Sequence, residues 1–227
     1  MVSTMRSWLL ASAVACCLGA NGAALAQEVE PADAATAASC PVNHATLVRQ
    51  LRAAVAAVGS NPMWASVVDR DGVVCAVAFS GANRGAQFAV SRVISAAKAF
   101  TANGVSLDGA PLSTAQLYPA TQPRGSLFGL DAGNPVDAAA AYRGPTSRFG
   151  RPNDPMVGKR IGGTITFGGG VALFAGGTRA VGGVGISGDT ACADDDVARD
   201  LRRRLGLVPT ASDAASFGPA ATQHPAC

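Results

Sequence analysis

Residues 182–188, GGVGISG, constrain the fold more than any other stretch. Gly183, Gly185 and Gly188 spell G-x-G-x-x-G, the spacing of a dinucleotide-binding turn. That motif needs strand, glycine turn and helix inside a βαβ unit, with an acidic residue at the tip of the next strand. A helical pattern does follow here, but no second strand comes after it; the chain runs on into VPTASDAASFGPAATQHPAC. The glycines also begin before the turn, inside a strand-like run, where glycine marks a bulge or the close approach of another backbone. A Walker-type phosphate loop is missing too, since Gly158-Lys159 is followed by Arg160 instead of Ser or Thr. The run predicts crowded backbones in a sheet, not a nucleotide site.

Around it the chain reads as alternating helix and strand patterns. Leu47, Leu51, Val55 and Val58 recur at helical steps after Asn43 and stop at Gly59. Two β-rich runs, 63–68 and 73–79, flank Asp69-Arg70-Asp71-Gly72, a turn in which glycine accepts positive φ. Residues 86–103 are helical, with Val90, Ile94, Ala97 and Thr101 on one face and Gly104 as the stop. GTITF, VALF and VGGVGI, separated by glycine turns, read as a three-strand meander. A final helix covers residues 193–205, with Asp194, Asp195 and Asp196 near its start and Arg202, Arg203 and Arg204 at its end, both matching the helix dipole. The expected order is α-β-β-α, a long insertion at 104–162, then β-β-β-α. An insertion of that length is expected either to build a binding wall or to form an oligomer contact.

The first 26 residues read as a signal peptide: Arg6, the short apolar run WLLASAVACCLGA, and Ala24-Leu25-Ala26 before Gln27. The apolar run falls short of the ~20 residues a permanent span needs. Residues 27–39 form an Ala-rich leader without periodicity, and 210–227 a tail. Periplasmic or secreted localisation follows, and with it the meaning of cysteine. Cys40, Cys75, Cys192 and Cys227 remain after cleavage, an even number in an oxidising compartment, so two disulfides are expected with three pairings open. The formal charge of +3, with only Arg202 to Arg204 as a basic run, points away from nucleic acid.

Three motifs occur in a fixed order: V-D-x-x-G at 68–72, K-A-x-T-A at 98–102 and G-G-x-G-x-S-G at 182–188. With them, residues 40–208 resemble the GlcG/HbpS-like haem-binding family, which includes a C-terminal domain of some cobalamin adenosyltransferases. The long insertion is similar to that of an extended, secreted subgroup. The resemblance implies an α/β (α+β) fold of profilin-like type, a five-stranded antiparallel sheet with helices packed on it. It also implies haem as cofactor and assembly into a homo-oligomer. Relatives often carry a His where this chain has Asp195.

Under that resemblance, Lys98, Arg124 and Arg160 are candidates to pair with haem propionates. Tyr118 and Met156 belong to residue types that ligate haem iron, with gap-filling as the plainer role. The Thr101 hydroxyl either faces a ligand or bonds back to the carbonyl four residues earlier. His44 reads as a capping residue and His224 lies in the tail, so no Ser-His-Asp or Cys-His constellation suggests itself, and no metal cluster. The leading expectation is an exported protein that binds haem or another tetrapyrrole as a small-molecule ligand. The alternatives are a haem-degrading or redox enzyme of the same fold, and a structural or stress-related oligomer without ligand.

Overall fold

The computed structural model describes residues 39–213. The expected signal peptide, the leader up to residue 38, the tail beyond 213, His224 and Cys227 lie outside them. Helix α1 (His44–Val58) begins where the Asn43 side chain accepts the Thr46 N–H at 2.9 Å, and ends at Gly59 with φ 75°. Strands β1 (Trp64–Asp69) and β2 (Val74–Phe79) follow, joined by a turn in which Gly72 takes φ 76°. Helix α2 (Ser91–Val105) starts later than the expected residue 86, which instead ends a 3-10 turn at Arg84–Ala86. The insertion contributes α3 (Thr114–Thr121) and α4 (Ala138–Ala141). Strands β3 (Gly170–Ala175) and β4 (Arg179–Ser187) lead into α5 (Ala191–Leu205), capped by Thr190 and closed by Gly206 at φ 69°.

The sheet is antiparallel, in the order β2-β1-β4-β3. It therefore has four strands among the described residues, not the expected five. GTITF is the missing strand, and competition for hydrogen bonds explains its loss. On the outer edge of β3, Gly170 N–H is taken by Thr114 Oγ1, Ala172 C=O by the Arg202 guanidinium, and Phe174 N–H by the Leu207 carbonyl. GTITF finds its partners elsewhere: Thr164 N–H donates to the Asn134 carbonyl, Ile165 N–H to Thr101 Oγ1, and Phe167 C=O accepts from Thr114. Backbone groups already satisfied by side chains and loop carbonyls do not build a ladder.

Side-chain alternation along the strands divides the core into two clusters. One face carries Ala65, Val67, Val184 and Ile186 against Leu47 and Leu51 of α1 and Val197 and Leu201 of α5. The other carries Trp64, Val68, Val74 and Val77 against Val93, Ala96 and Ala99 of α2, with Met156 and Ile161 of the insertion.

Gly183 and Gly185 lie on the α2 side of β4, and the glycine run is explained there. A Cβ on Gly185 would sit 2.0 Å from the Ser95 carbonyl oxygen, and one on Gly183 2.3 Å from that of Ala99. A Cβ on Gly170, paired with Gly185, would sit 2.6 Å from the Lys98 carbonyl oxygen. The crowding is of helix backbone on strand backbone, where the sequence suggested strand on strand.

The insertion covers α2 from outside, held by one ion pair. Arg92, 1% exposed, donates to both carboxylate oxygens of Asp154 and to the Ala141 carbonyl, and stacks 3.7 Å above the Phe149 ring. With the sheet on one side and the insertion on the other, α2 is buried nearly all round instead of along one stripe. In the insertion Leu117 is buried, whereas Phe128 and Tyr142 are 67% and 53% exposed. Cys40 and Cys75 form a disulfide, and Cys192 is disulfide-bonded too. No helix among the described residues is long and apolar enough to cross a membrane.

Candidate functional site

The six sequence-derived site residues do not converge. Thr101 Oγ1 shares its proton between Ala97 C=O at 2.8 Å and Gly163 C=O, and accepts the Ile165 N–H, so it ties the GTITF segment to α2. Met156 is fully buried in the core between sheet and insertion. Tyr118 is half-buried on α3. Arg160 is exposed and donates to the Asp71 carbonyl at 2.8 Å. Arg124, also exposed, occupies a turn with φ 72°, the single positive φ outside glycine among the described residues.

Lys98 is fully buried, 0% exposed. Its Nζ donates to Asp194 Oδ2 at 2.6 Å and to the Ile186 carbonyl at 3.0 Å, and lies 4.8 Å from the Phe167 ring centroid. Burial pushes the Lys98 ammonium below its ordinary pKa, against the pull of Asp194 and Asp195; burial likewise pushes the Asp194 carboxyl up. Asp194 Oδ1 accepts the Asp189 N–H at 3.0 Å. The pair thus ties α2 to the turn between β4 and α5, which is positioning work within the fold.

None of the six residues lines either of two surface clefts formed by the described residues. The smaller, about 380 Å³, lies between Asn61, Gln87, Phe88 and Gly188. The larger, about 940 Å³, is bounded by residues 39–41 on one side, by Arg70, Leu107 and Asp108 on another, and by the start of β4 with Leu207. Its volume falls in the range of small-molecule and cofactor sites.

Two arginines give the larger cleft its character. Arg70 is anchored: Nη1 donates to the Asn103 carbonyl and its Oδ1, and Nη2 to the Ser106 carbonyl at 3.0 Å. Of the five guanidinium N–H groups this leaves two unused. Arg179 is exposed and has no hydrogen bond or ion pair among the described residues. Asp108 is the one carboxylate in the wall among the described residues, and its Oδ1 accepts the Ala180 N–H at 2.8 Å. Leu107, 65% exposed, Val181 and Leu207 supply apolar surface. The arrangement suits an anionic ligand with a broad apolar body.

Sequence reasoning missed both arginines. Each sits at a hairpin: Arg70 in the β1–β2 turn, Arg179 just after the Gly176-Gly177-Thr178 turn. The β1–β4 register, which pairs Asp69 with Gly182, brings the two turns to the same end of the sheet. An arginine at each of two hairpin tips was the available signal, and only strand pairing gives it meaning. Among the described residues no cluster of His, Cys, Asp and Glu could hold a metal ion.

A family model described as haem degrading protein HbpS-like matches residues 42–202. Among solved structures, the complex of PduOC with heme is 23% identical, covering 70% of this chain and 89% of that one, with a TM-score of 0.49. Protein ORFY of Klebsiella pneumoniae is 24% identical over 74% and 92% of the two chains, TM-score 0.49. HbpS is 20% identical over 72% and 86%, TM-score 0.47. Among curated proteins none matches.

Proposed function

We infer that this chain, which belongs to the HbpS-like haem-degrading family, binds haem or a related tetrapyrrole, with the larger cleft as its site. The observation that carries the assignment is the pair Arg70 and Arg179 beside an apolar wall in a cleft of about 940 Å³. Tetrapyrrole propionates want charge-assisted bonds, and the ring wants apolar contact. Arg70, pre-set by its bonds to α2, and the unpaired Arg179 would hold the carboxylates; Leu107, Val181 and Leu207 would lie against the ring.

The fit is to the periphery of the group. Among the described residues no His, Met or Tyr lines this cleft, and its cysteine, Cys40, is in a disulfide. Haem when bound would supply its iron chemistry; the residues of this wall bind, orient and shield. Recognition through carboxylates then makes metal-free protoporphyrin IX nearly as good a ligand as haem.

The test is a titration of each followed by absorbance. Wild type should saturate with both, within about threefold of each other, and Arg70→Ala with Arg179→Ala should bind at least tenfold more weakly, since a charge-assisted bond contributes about 1.5–3 kcal/mol. Unchanged binding by the double variant would move the site elsewhere, and no saturation by wild type would end the assignment. The family's description favours a second reading, haem degradation. Loss of the Soret band of the complex with added reductant and oxygen, absent with protein omitted, would support it.

Export to the periplasm or beyond belongs to the same proposal. It is supported by the signal-like first 26 residues and by the Cys40–Cys75 disulfide, which suits an oxidising compartment. Homo-oligomer formation is supported by the exposed apolar side chains Phe88, Val90, Phe128 and Tyr142.

A further inference from the structure

The outer surface of the insertion concentrates charge of one sign. Residues 143–160, RGPTSRFGRPNDPMVGKR, carry Arg143, Arg148, Arg151, Lys159 and Arg160 against one carboxylate, Asp154. The other described residues are nearly balanced, with twelve Lys and Arg to eleven Asp. All five cations are exposed, whereas Asp154 is 2% exposed and paired with Arg92. Among the described residues none of the five has an ion pair, and Arg160 alone has a side-chain hydrogen bond, to the Asp71 carbonyl.

The buried carboxylate makes this a fixed surface. Asp154 accepts the N–H groups of Gly150 and Met156, and its own N–H donates to the Arg151 carbonyl. Gly144 folds back on Pro155, where a Cβ would lie 2.7 Å from the ring. Gly150 lies against Phe79, and further on Gly158 N–H donates to Val74 C=O and Val74 N–H to Lys159 C=O, both at 2.8 Å. The segment therefore reaches from one end of β2 to the other, about 17 Å. Two carboxylates border its Arg160 end: Asp71, and Asp137, whose Oδ1 caps α4. None of the five cations lines either cleft. A ridge of donors outside any cleft suits a flat array of anions, and guanidinium groups grip phosphate oxygens with paired N–H donors. Tyr142, 53% exposed beside Arg143, is the kind of side chain that sits at headgroup level. A nucleic-acid strand would instead ask for exposed rings between the cations, and the ring in this run, Phe149, is engaged by Arg92.

We propose that residues 142–160 form a docking surface for the phosphate headgroups of an anionic lipid bilayer. Each cation near such a surface raises partition about fivefold, and the attraction fades beyond a Debye length of about 10 Å. Binding is therefore peripheral, reversible and sensitive to salt.

The test is co-sedimentation of the full chain at low salt with vesicles of phosphatidylglycerol and phosphatidylcholine in equal parts, against phosphatidylcholine alone. Every variant keeps the same N-terminal residues, so binding by the apolar run there is common to all and appears on phosphatidylcholine too. Wild type should prefer the anionic vesicles by about a hundredfold or more, and the preference should vanish at high salt. Arg148→Gln with Arg151→Gln should lower it at least tenfold. Arg143→Gln with Lys159→Gln should lose as much, and repeats the test if the first pair shifts the urea midpoint. Arg49→Gln with Arg52→Gln removes the same charge from α1, which packs on the other face of the sheet, and should change the preference by about twofold at most. No preference by wild type overturns the proposal. So does an equal loss in the α1 variant, which would reduce the effect to net charge. Tighter binding to single-stranded nucleic acid than to the anionic vesicles at the same salt would give the ridge that partner and overturn the bilayer.

Discussion

Replacing Gly185 by alanine tests the central packing of the fold. The added Cβ would lie 2.0 Å from Ser95 O, 2.5 Å from Ala99 N and 2.9 Å from Lys98 Cβ. Two of these are helix backbone, so no rotamer change relieves them, and α2 must lift from β4 by about 1 Å to restore ordinary contact. Lifting stretches the buried Ser66–Ser95 hydroxyl bond, now 2.8 Å, and the Lys98 bond to Ile186 C=O, now 3.0 Å. Overpacking costs about 1–3 kcal/mol. Losing a neutral hydrogen bond adds roughly 1 kcal/mol, and weakening one to a charged group about 1.5 kcal/mol or more. A loss of about 4 kcal/mol is expected, a large part of the ~5–15 kcal/mol that holds a domain together. In urea denaturation, with a slope of about 2 kcal/mol per molar, the midpoint should fall by ~2 M. Gly104→Ala is the control. Gly104 lies in the same helix at an exposed position with nothing within 4 Å of a Cβ, and there alanine should raise stability by about 0.5–1 kcal/mol. A Gly185→Ala midpoint within ~0.5 M of wild type would refute the close-approach account.

Lys98→Met leaves Asp194 buried without its cation and should cost about 3–5 kcal/mol, whereas Lys98→Met with Asp194→Leu should recover part of it; a urea double-mutant cycle reads both. Hydrogen bonds from the backbone of Thr190 and Asn61, with the Asn61 side chain, hold the Asp189 carboxyl below its ordinary pKa of 3.8. A depressed carboxyl stabilises the fold above its unfolded pKa and loses that contribution as pH falls through the folded value. Asp189→Asn should therefore flatten the loss of stability between about pH 5 and pH 2, read as urea midpoint against pH. Arg124 holds φ 72° in a turn after Pro123, and Arg124→Gly should relieve the strain and stabilise by roughly 0.5–1 kcal/mol in thermal unfolding.

Local signals made much of the fold legible. Asn43, Gly59, the Gly72 turn and the charges at the ends of α5 act within a few residues, and the elements they mark all stand. GTITF failed because its β-propensity is a local property, while its hydrogen bonds were won by Thr101 and Thr114, about fifty residues or more away. Helix α3, with Pro119 inside it and little amphipathic pattern, gave no periodic signal. Lys98 stood out in sequence, yet its partner Asp194 is ninety-six residues further on, so burial and pairing could not be read from its neighbourhood. The arginine cleft was illegible for the same reason: Arg70 and Arg179 share a site only through the β1–β4 register.

The stoppered outer margin of β3 bears on how copies of this chain can meet. With Thr114, Arg202 and Leu207 already plugged into it, that margin has little to offer an incoming strand, and growth of the sheet from molecule to molecule is discouraged on that side. Contact at that margin is left to side chains, which, unlike a strand ladder, do not repeat without end.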